Sequence, residues 1–318
     1  MNSSACEIAK TYLMVFKNKN NCNTGNVYEI STAFSFLRKM GLTDADIDSL
    51  SDITKYLEDL GKGNSRISMV IEHIKKLPVS SNLEMNGKKV VDLKNLTQED
   101  GVGTADIMLI LNDGSQLGFS VTEGSGKIGK SGISKVITNA GTERMGCAED
   151  YDAICALEKI LTQADKDTFC EKKFGTSDKS KWNKRCKFPA AIKVQSDCAT
   201  LIANRMSNLS DARRREIMND LLCITKMPAD YIVFVNKKTF ANTFYKISGT
   251  VIDKDCWIPK IKTNGVFLET YCGDVLVSKS QVKYNNGVGT SMRKVNIDAI
   301  LDKLFRIEQV EPSTFKSS

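Results

Sequence analysis

Histidine is nearly absent: His73 is the only one in 318 residues. That excludes zinc sites built on two histidines and nucleases with histidine metal ligands. One candidate is left for a base of the Ser-His type. His73 sits in Ser68-Met-Val-Ile-Glu-His-Ile-Lys-Lys-Leu77, which reads as an amphipathic helix in which the imidazole is structural. Any catalysis then rests on carboxylates, lysines, hydroxyls or a metal held by oxygens. The ten cysteines contain no Cys-x-x-Cys pair, so neither a zinc ribbon nor a thioredoxin-like site is signalled. Cys155, Cys198 and Cys223 fall in apolar helical stretches and read as small hydrophobes. No apolar run approaches the roughly 20 residues of a membrane-spanning helix. Residues 1–10 lack the basic start and apolar centre of a secretory signal. The expectation is a cytoplasmic protein with reduced thiols and no membrane partner.

What is present is ordinary in amount. With 41% hydrophobic and 26% charged residues the chain can bury a core, which excludes a disordered polyelectrolyte. Lys and Arg number 45 against 38 Asp and Glu, a formal charge of +7. Such an excess suits a polyanion such as DNA or RNA, and it equally suits simple solubility.

The first third reads as helices: Ala5–Phe16, Val27–Met40 with Ile30, Ala33, Phe34 and Leu37 on one stripe, a helix capped by Thr43, and Arg66–Leu77 stopped by Pro78. Strand signals follow at Lys88–Leu93, Ala105–Leu111 and Gln116–Glu123. Helices are expected at Lys130–Ala140, Tyr151–Ala164, Ile192–Ile224 and Asp298–Phe305. A strand is expected at Asp230–Asn236, and strand-rich chain from Phe240 to Asn296. The fold class is therefore α/β or α+β, a mixed central β-sheet flanked by helices. A single domain over 1–318 is expected, with a helical part at 1–80. The central hairpin and its helices fill 85–165, and a helical insertion with a strand-rich part fills 166–318.

The most informative segment is Gly101 to Glu123. Ile107–Leu111 is apolar on both faces, as in an inner strand, and Asp106 stands at its start. A carboxylate there needs a partner, either a metal or the hydrogen bonds of a capped turn. On the next strand Leu117, Phe119 and Val121 face one side, and Ser120 and Thr122 the other. A three-residue loop, Asp113–Ser115, pairs Asp106 with Thr122 and leaves Ser120 as its diagonal neighbour.

These residues resemble the active site of the PD-(D/E)XK nuclease superfamily, to which most type II restriction endonucleases belong. Asp106 matches its metal-binding Asp. Gly118-Phe119-Ser120-Val121 matches the Gly-aromatic-Ser-Val form of its second strand, and Glu29, in Val27-Tyr-Glu-Ile-Ser-Thr-Ala33, matches the extra acidic residue of an N-terminal helix. The resemblance covers about Val27 to Ala140. It implies a restriction-endonuclease-like core with insertions, hydrolysis of phosphodiesters in double-stranded DNA, Mg²⁺ as cofactor, and Asp106, Glu29 and Ser120 at the metal. The alternative for Glu29 is a solvated carboxylate in a first helical turn. The chain departs from the pattern at Thr122, where the family has lysine. Either Lys127 or Lys130 supplies the ammonium from the next loop, or position 122 carries an inactivating substitution, or the likeness is accidental.

Gly124-Ser-Gly-Lys-Ile-Gly-Lys-Ser131 also satisfies the P-loop pattern, with Lys130 on phosphates and Ser131 on Mg²⁺. The same loop can instead meet DNA phosphates through Lys127, Lys130 and Lys135. Two further groups are candidate DNA contacts: Lys181, Trp182, Lys184 and Arg185 in a basic excursion, and Asn285, Asn286, Arg293 and Lys294 in a turn-rich loop whose side chains suit base edges. Three functions remain open: nuclease, non-catalytic DNA-binding protein on a decayed nuclease scaffold, and P-loop NTPase. No protein partner is legible beyond a second copy of the chain.

Overall fold

The computed structural model describes residues 4–18, 20, 22, 24–61, 66–96, 105–124, 127–128, 131–132, 189–225, 229–283, 294–296 and 299–310. The chain forms two compact units, each discontinuous. Unit 1 takes residues 1–126, 227–249 and 306–318, and unit 2 takes 127–226 and 250–305.

Unit 1 opens with α1 (Ala5–Asn18), α2 (Thr24–Lys39), α3 (Asp44–Ser49), α4 (Ser51–Leu60) and α5 (Ile67–Lys75). Thr43 caps as expected: its hydroxyl accepts from the Asp46 amide at 3.1 Å, and the Asp46 carboxylate accepts from the Thr43 amide at 2.9 Å. The helix it starts is short, and Leu50 turns the chain into α4, an element the sequence periodicity did not separate. Strands β1 (Glu84–Met85), β2 (Lys88–Asn95), β3 (Ile107–Leu111), β4 (Gln116–Glu123), β7 (Tyr231–Val235), β8 (Asn242–Thr250) and β14 (Phe305–Val310) form one sheet in the order β1-β2-β3-β4-β7-β8-β14. The sheet is mostly antiparallel, and β4 and β7 run parallel. The protein is thus mixed α/β, with a large sheet flanked by helices.

One face of this sheet carries Ile107, Leu109, Leu111, Phe119, Tyr231 and Val233, all buried in the core with the apolar stripes of α1, α2 and α5. Phe119 organises it: its ring stacks on Tyr231 at 4.9 Å and meets Phe36 of α2 edge-on at 5.0 Å. A polar clasp fixes where α2 lies along the sheet. Ser31 donates to the Phe240 carbonyl, Thr32 to the Asn242 amide oxygen, and Asn242 to the Ser35 hydroxyl. Those bonds hold the first half of α2, and Glu29 with it, against the strands.

The hairpin register differs from the expected one. Ile107 pairs with Phe119 and Leu109 with Leu117, so Asp106, just before the ladder, is brought to Ser120 and not to Thr122. The loop still has three residues but closes one position earlier, at Asn112–Gly114. The Asp113 carboxylate accepts from both the amide and the hydroxyl of Ser115, and Gly114 adopts φ +85°. The resulting two-residue slip keeps every side chain on its expected face.

Unit 2 contains β5 (Lys127–Ile128), β6 (Ser131–Gly132), α6 (Pro189–Asn208), α7 (Asp211–Leu221), β9 (Pro259–Asn264), β10 (Phe267–Cys272), β11 (Val275–Lys283), β12 (Lys294–Asn296), β13 (Ala299–Ile300) and the single turn α8 (Leu301–Leu304). Its sheet runs β5-β13-β11-β10-β9, with β12 on β11 and β6 on β12. The helix expected over Ile192–Ile224 is two helices broken at Ser210, whose hydroxyl caps α7. Arg214 folds back over the end of α6, donating to the carbonyls of Met206, Ser207 and Leu209, so it is a cap and not a solvated charge. The helix expected at Asp298–Phe305 shrinks to α8 between β13 and β14, because Ala299 and Ile300 are drawn into strand pairing. The helix expected at Tyr151–Ala164 lies outside the described residues.

Candidate active site

Asp106 stands at the start of β3, where the ladder to β4 ends. Its amide donates to the Phe119 carbonyl at 2.8 Å, and its carbonyl accepts from the Leu96 amide at 2.9 Å. The carboxylate curls into the place of the next ladder acceptor: Oδ2 takes the Val121 amide at 2.7 Å and the Ser120 hydroxyl at 3.4 Å. Asp106 therefore fulfils the capping role, and the same bonds aim it at Ser120, which is itself buried.

Glu29 is 7% exposed, which removes the reading of a solvated first-turn carboxylate. Asn26, one turn earlier and also buried, donates to Glu29 Oε2 at 3.4 Å. Both carboxylates act on one side chain of α1. The Tyr12 phenol is raised well above its ordinary value, by burial first, then by Glu29 and then by Asp106. Glu29 on α2, buried, and Asp106 on the hairpin, half-buried, thus both bear electrostatically on Tyr12, although 77 residues of chain separate them. Cys22 is buried as well, and burial, then Glu29, then Glu58 push its thiol up to about 11, so that it is protonated and a poor nucleophile at neutral pH.

The chain matches no family model, no curated protein and no solved structure. Function is argued from the site alone.

Thr122 lies on β4 beside Phe234 of β7, half-buried, on the face it shares with Ser120. Lys127 is not in a loop: it forms β5, paired with Ile300 in unit 2. Ser131 and Gly132 pair with Val295 and Lys294 as β6. A phosphate-cradling loop opens a helix at that position, so strand pairing removes the helix start that the P-loop pattern requires. It also corrects the expected Lys130–Ala140 helix at its beginning. Lys294 is likewise in a strand, opposite Lys283. Lys130, Lys135, Lys181, Trp182, Lys184, Arg185, Asn285, Asn286 and Arg293 lie outside the described residues.

Sequence reasoning missed Tyr12, Asn26, Tyr28 and Glu123. Tyr28 hydrogen-bonds Glu123 at the end of β4, and its phenol is raised by burial and then by that carboxylate, with Arg66 opposing. Lys237 pairs with the same carboxylate at 3.6 Å. Asn26 stands three residues before Glu29 and was legible from helical spacing. Tyr12 looks in sequence like any apolar stripe position.

His73 is not part of this place. Its ring lies 6.4 Å from Phe240, and it lines a cavity of about 250 Å³ with Phe36, Lys39 and Phe244. Burial, then Lys76, lowers its pKa below 6.5. The neutral ring is favoured in the folded state, so the unfolded chain binds more protons below pH 6.5. Stability is expected to be full above 6.5 and to decline as pH falls from there to the lowered folded value. The urea midpoint should drop over that window in the wild type and hold steadier in His73→Gln, a clean comparison because no second histidine titrates.

Proposed function

We propose that unit 1 is a nuclease core of the PD-(D/E)XK type, acting with Mg²⁺ on phosphodiesters of double-stranded DNA in the manner of a type II restriction endonuclease. The observation that carries this reading is the pair of a buried Glu29 on α2 and an Asp106 that faces Ser120 on the hairpin, both bearing on Tyr12. On this reading a divalent cation is the partner that joins the two carboxylates. The donors fit Mg²⁺: they are oxygens, and Mg²⁺ is commonly held by one or two carboxylates, completing its shell with water and phosphate oxygens. Among the described residues no group of three or more His, Cys, Asp or Glu could hold an ion, which speaks against a fully protein-built cage.

When bound, such a metal acidifies a coordinated water and polarises a phosphate. The chain's own part is to hold the ligands. The Val121 amide and Ser120 hydroxyl orient Asp106, the Asn26 amide orients Glu29, and the stacked Phe119 and Tyr231 keep β4 rigid beneath them. The mixed sheet with its parallel β4–β7 step is of the class the resemblance implies. Net charge +7 suits a polyanionic substrate. On this reading base contacts fall to Asn285, Asn286 and Arg293, whose side chains suit base edges.

Thr122 favours a second reading, a DNA-binding protein on a nuclease scaffold that no longer cleaves, since threonine supplies no ammonium. Both readings expect retention of duplex DNA that weakens steeply with salt. Flat salt dependence would remove DNA as the ligand. With Mg²⁺, plasmid cleavage that disappears in Asp106→Ala supports the nuclease.

A further inference from the structure

We propose that Tyr12 is a positioning residue of this acidic site, its hydroxyl donating to a water bound to the divalent cation that Glu29 and Asp106 hold. The inference rests on the metal reading above and adds a residue that the motif does not contain.

Tyr12 is 1% exposed, and its hydroxyl oxygen has no hydrogen-bond partner among the described residues. A buried phenol that bonds to nothing is destabilising, and proteins rarely keep one without a reason. Phenylalanine would fill the same space among Ile8, Leu13 and Phe16 without that cost. The surroundings say what the hydroxyl is for. The Tyr12 carbonyl lies 3.5 Å from the Asn95 side-chain amide, and the next residue, Leu96, donates its amide to the Asp106 carbonyl. Helix α1 is thereby tied at the level of Asp106. From the other side α2 brings Glu29, steadied by Asn26.

The phenol feels both carboxylates through space, and this raises its pKa further above the already high value set by burial. The hydroxyl bonds to no described residue, on a helix whose backbone is tied at the level of Asp106. A water in the coordination sphere of their shared cation is the acceptor that fits such a place, because metal-bound water and its outer hydrogen bonds are routinely held by protein groups one step removed from the metal. A phenol carries its proton at neutral pH, so Tyr12 serves as a donor and not as a base.

The test is Mn²⁺ binding to the full chain, followed by the electron paramagnetic resonance of the free ion, for wild type, Tyr12→Phe and Asp106→Asn. Wild type binds; Asp106→Asn loses binding; Tyr12→Phe binds about 10-fold more weakly, the scale of outer hydrogen-bond losses at metal sites. Thermal unfolding without metal supplies the second readout. Metal-free Tyr12→Phe melts no lower than wild type, since the deleted hydroxyl held nothing in the protein. Wild-type affinity in Tyr12→Phe, with binding still lost in Asp106→Asn, overturns the role of Tyr12 and leaves the acidic site standing. A lower melting temperature in metal-free Tyr12→Phe overturns it as well, because the hydroxyl would then have a protein partner. Absence of Asp106-dependent Mn²⁺ binding in the wild type overturns both the inference and the metal reading.

Discussion

Thr122→Lys is expected to raise Mg²⁺-dependent cleavage of plasmid DNA by about 10²- to 10⁴-fold, the usual contribution of a positioned group that assists proton transfer. Residue 122 faces the same side of β4 as Ser120, and the Asp106 carboxylate accepts from the Ser120 hydroxyl at 3.4 Å. A lysine at 122 is therefore two residues along the strand from the Asp106 partner, the diagonal relation across which long side chains reach. The ammonium would stabilise the negative charge that develops on the phosphate and on the attacking oxygen. The control is the double variant with Asp106→Ala, which should return to background, because the ammonium has no metal-bound water to act on. Band formation on agarose, compared across the two variants and wild type, measures the effect. If Thr122→Lys folds and binds DNA but cleaves no better than wild type, the motif alignment is wrong. If wild type already cleaves at the rate of Thr122→Lys, a lysine elsewhere in the chain already supplies the charge.

Arg38→Met is expected to destabilise unit 1 by about 3 kcal/mol, or to lower its melting temperature by about 6–12 °C. Arg38 ends α2 and is only 3% exposed. Its guanidinium donates to the carbonyls of Leu42, Lys75 and Leu77 and to the Asp44 carboxylate at 2.7 Å. It thus joins the ends of α2 and α5 to the start of α3. The ion pair contributes little, since Asp44 is 59% exposed and its charge is screened. The large loss comes from three carbonyl acceptors left without their donor. Arg38→Lys should recover only a small part, because an ammonium cannot present the planar fork that reaches all three. Asp44→Asn should cost much less than either. Equal losses for Asp44→Asn and Arg38→Met, read from urea unfolding, would show that the ion pair and not the carbonyl network dominates.

Arg38 also shows where sequence reasoning ran short. A basic residue in the last turn of a helix is favourable for its dipole, and that much is visible from Arg38 and Lys39 preceding Gly41. Which of the two turns inward is not visible, because the carbonyls of Lys75 and Leu77 lie almost forty residues away. The hairpin behaved similarly. Alternation of Leu117, Phe119 and Val121 against Ser120 and Thr122 set the faces correctly, since strand periodicity is a local property. The register missed by two residues, because it depended on how Asp113 bonded to Ser115 and where Gly114 took a positive φ. In unit 2, long-range pairing overrode local preference: Ser131–Gly132 and Ala299–Ile300 lie in segments that read as helical and were recruited as strands by β12 and by β5 and β11.

What the sequence determined by itself was the mixed α/β class, the alternating faces of the central hairpin and the acidic candidates Asp106 and Glu29. These follow from periodicity, caps and residue chemistry, all readable within a turn or a strand. What only the tertiary structure decided was that Glu29 is buried, that the Asp106 carboxylate turns to Ser120 and Val121, and that the buried Tyr12 hydroxyl has no partner among the described residues. Burial and proximity across α1, α2 and the hairpin arise from the packing of distant segments around Phe119, and no local pattern encodes them.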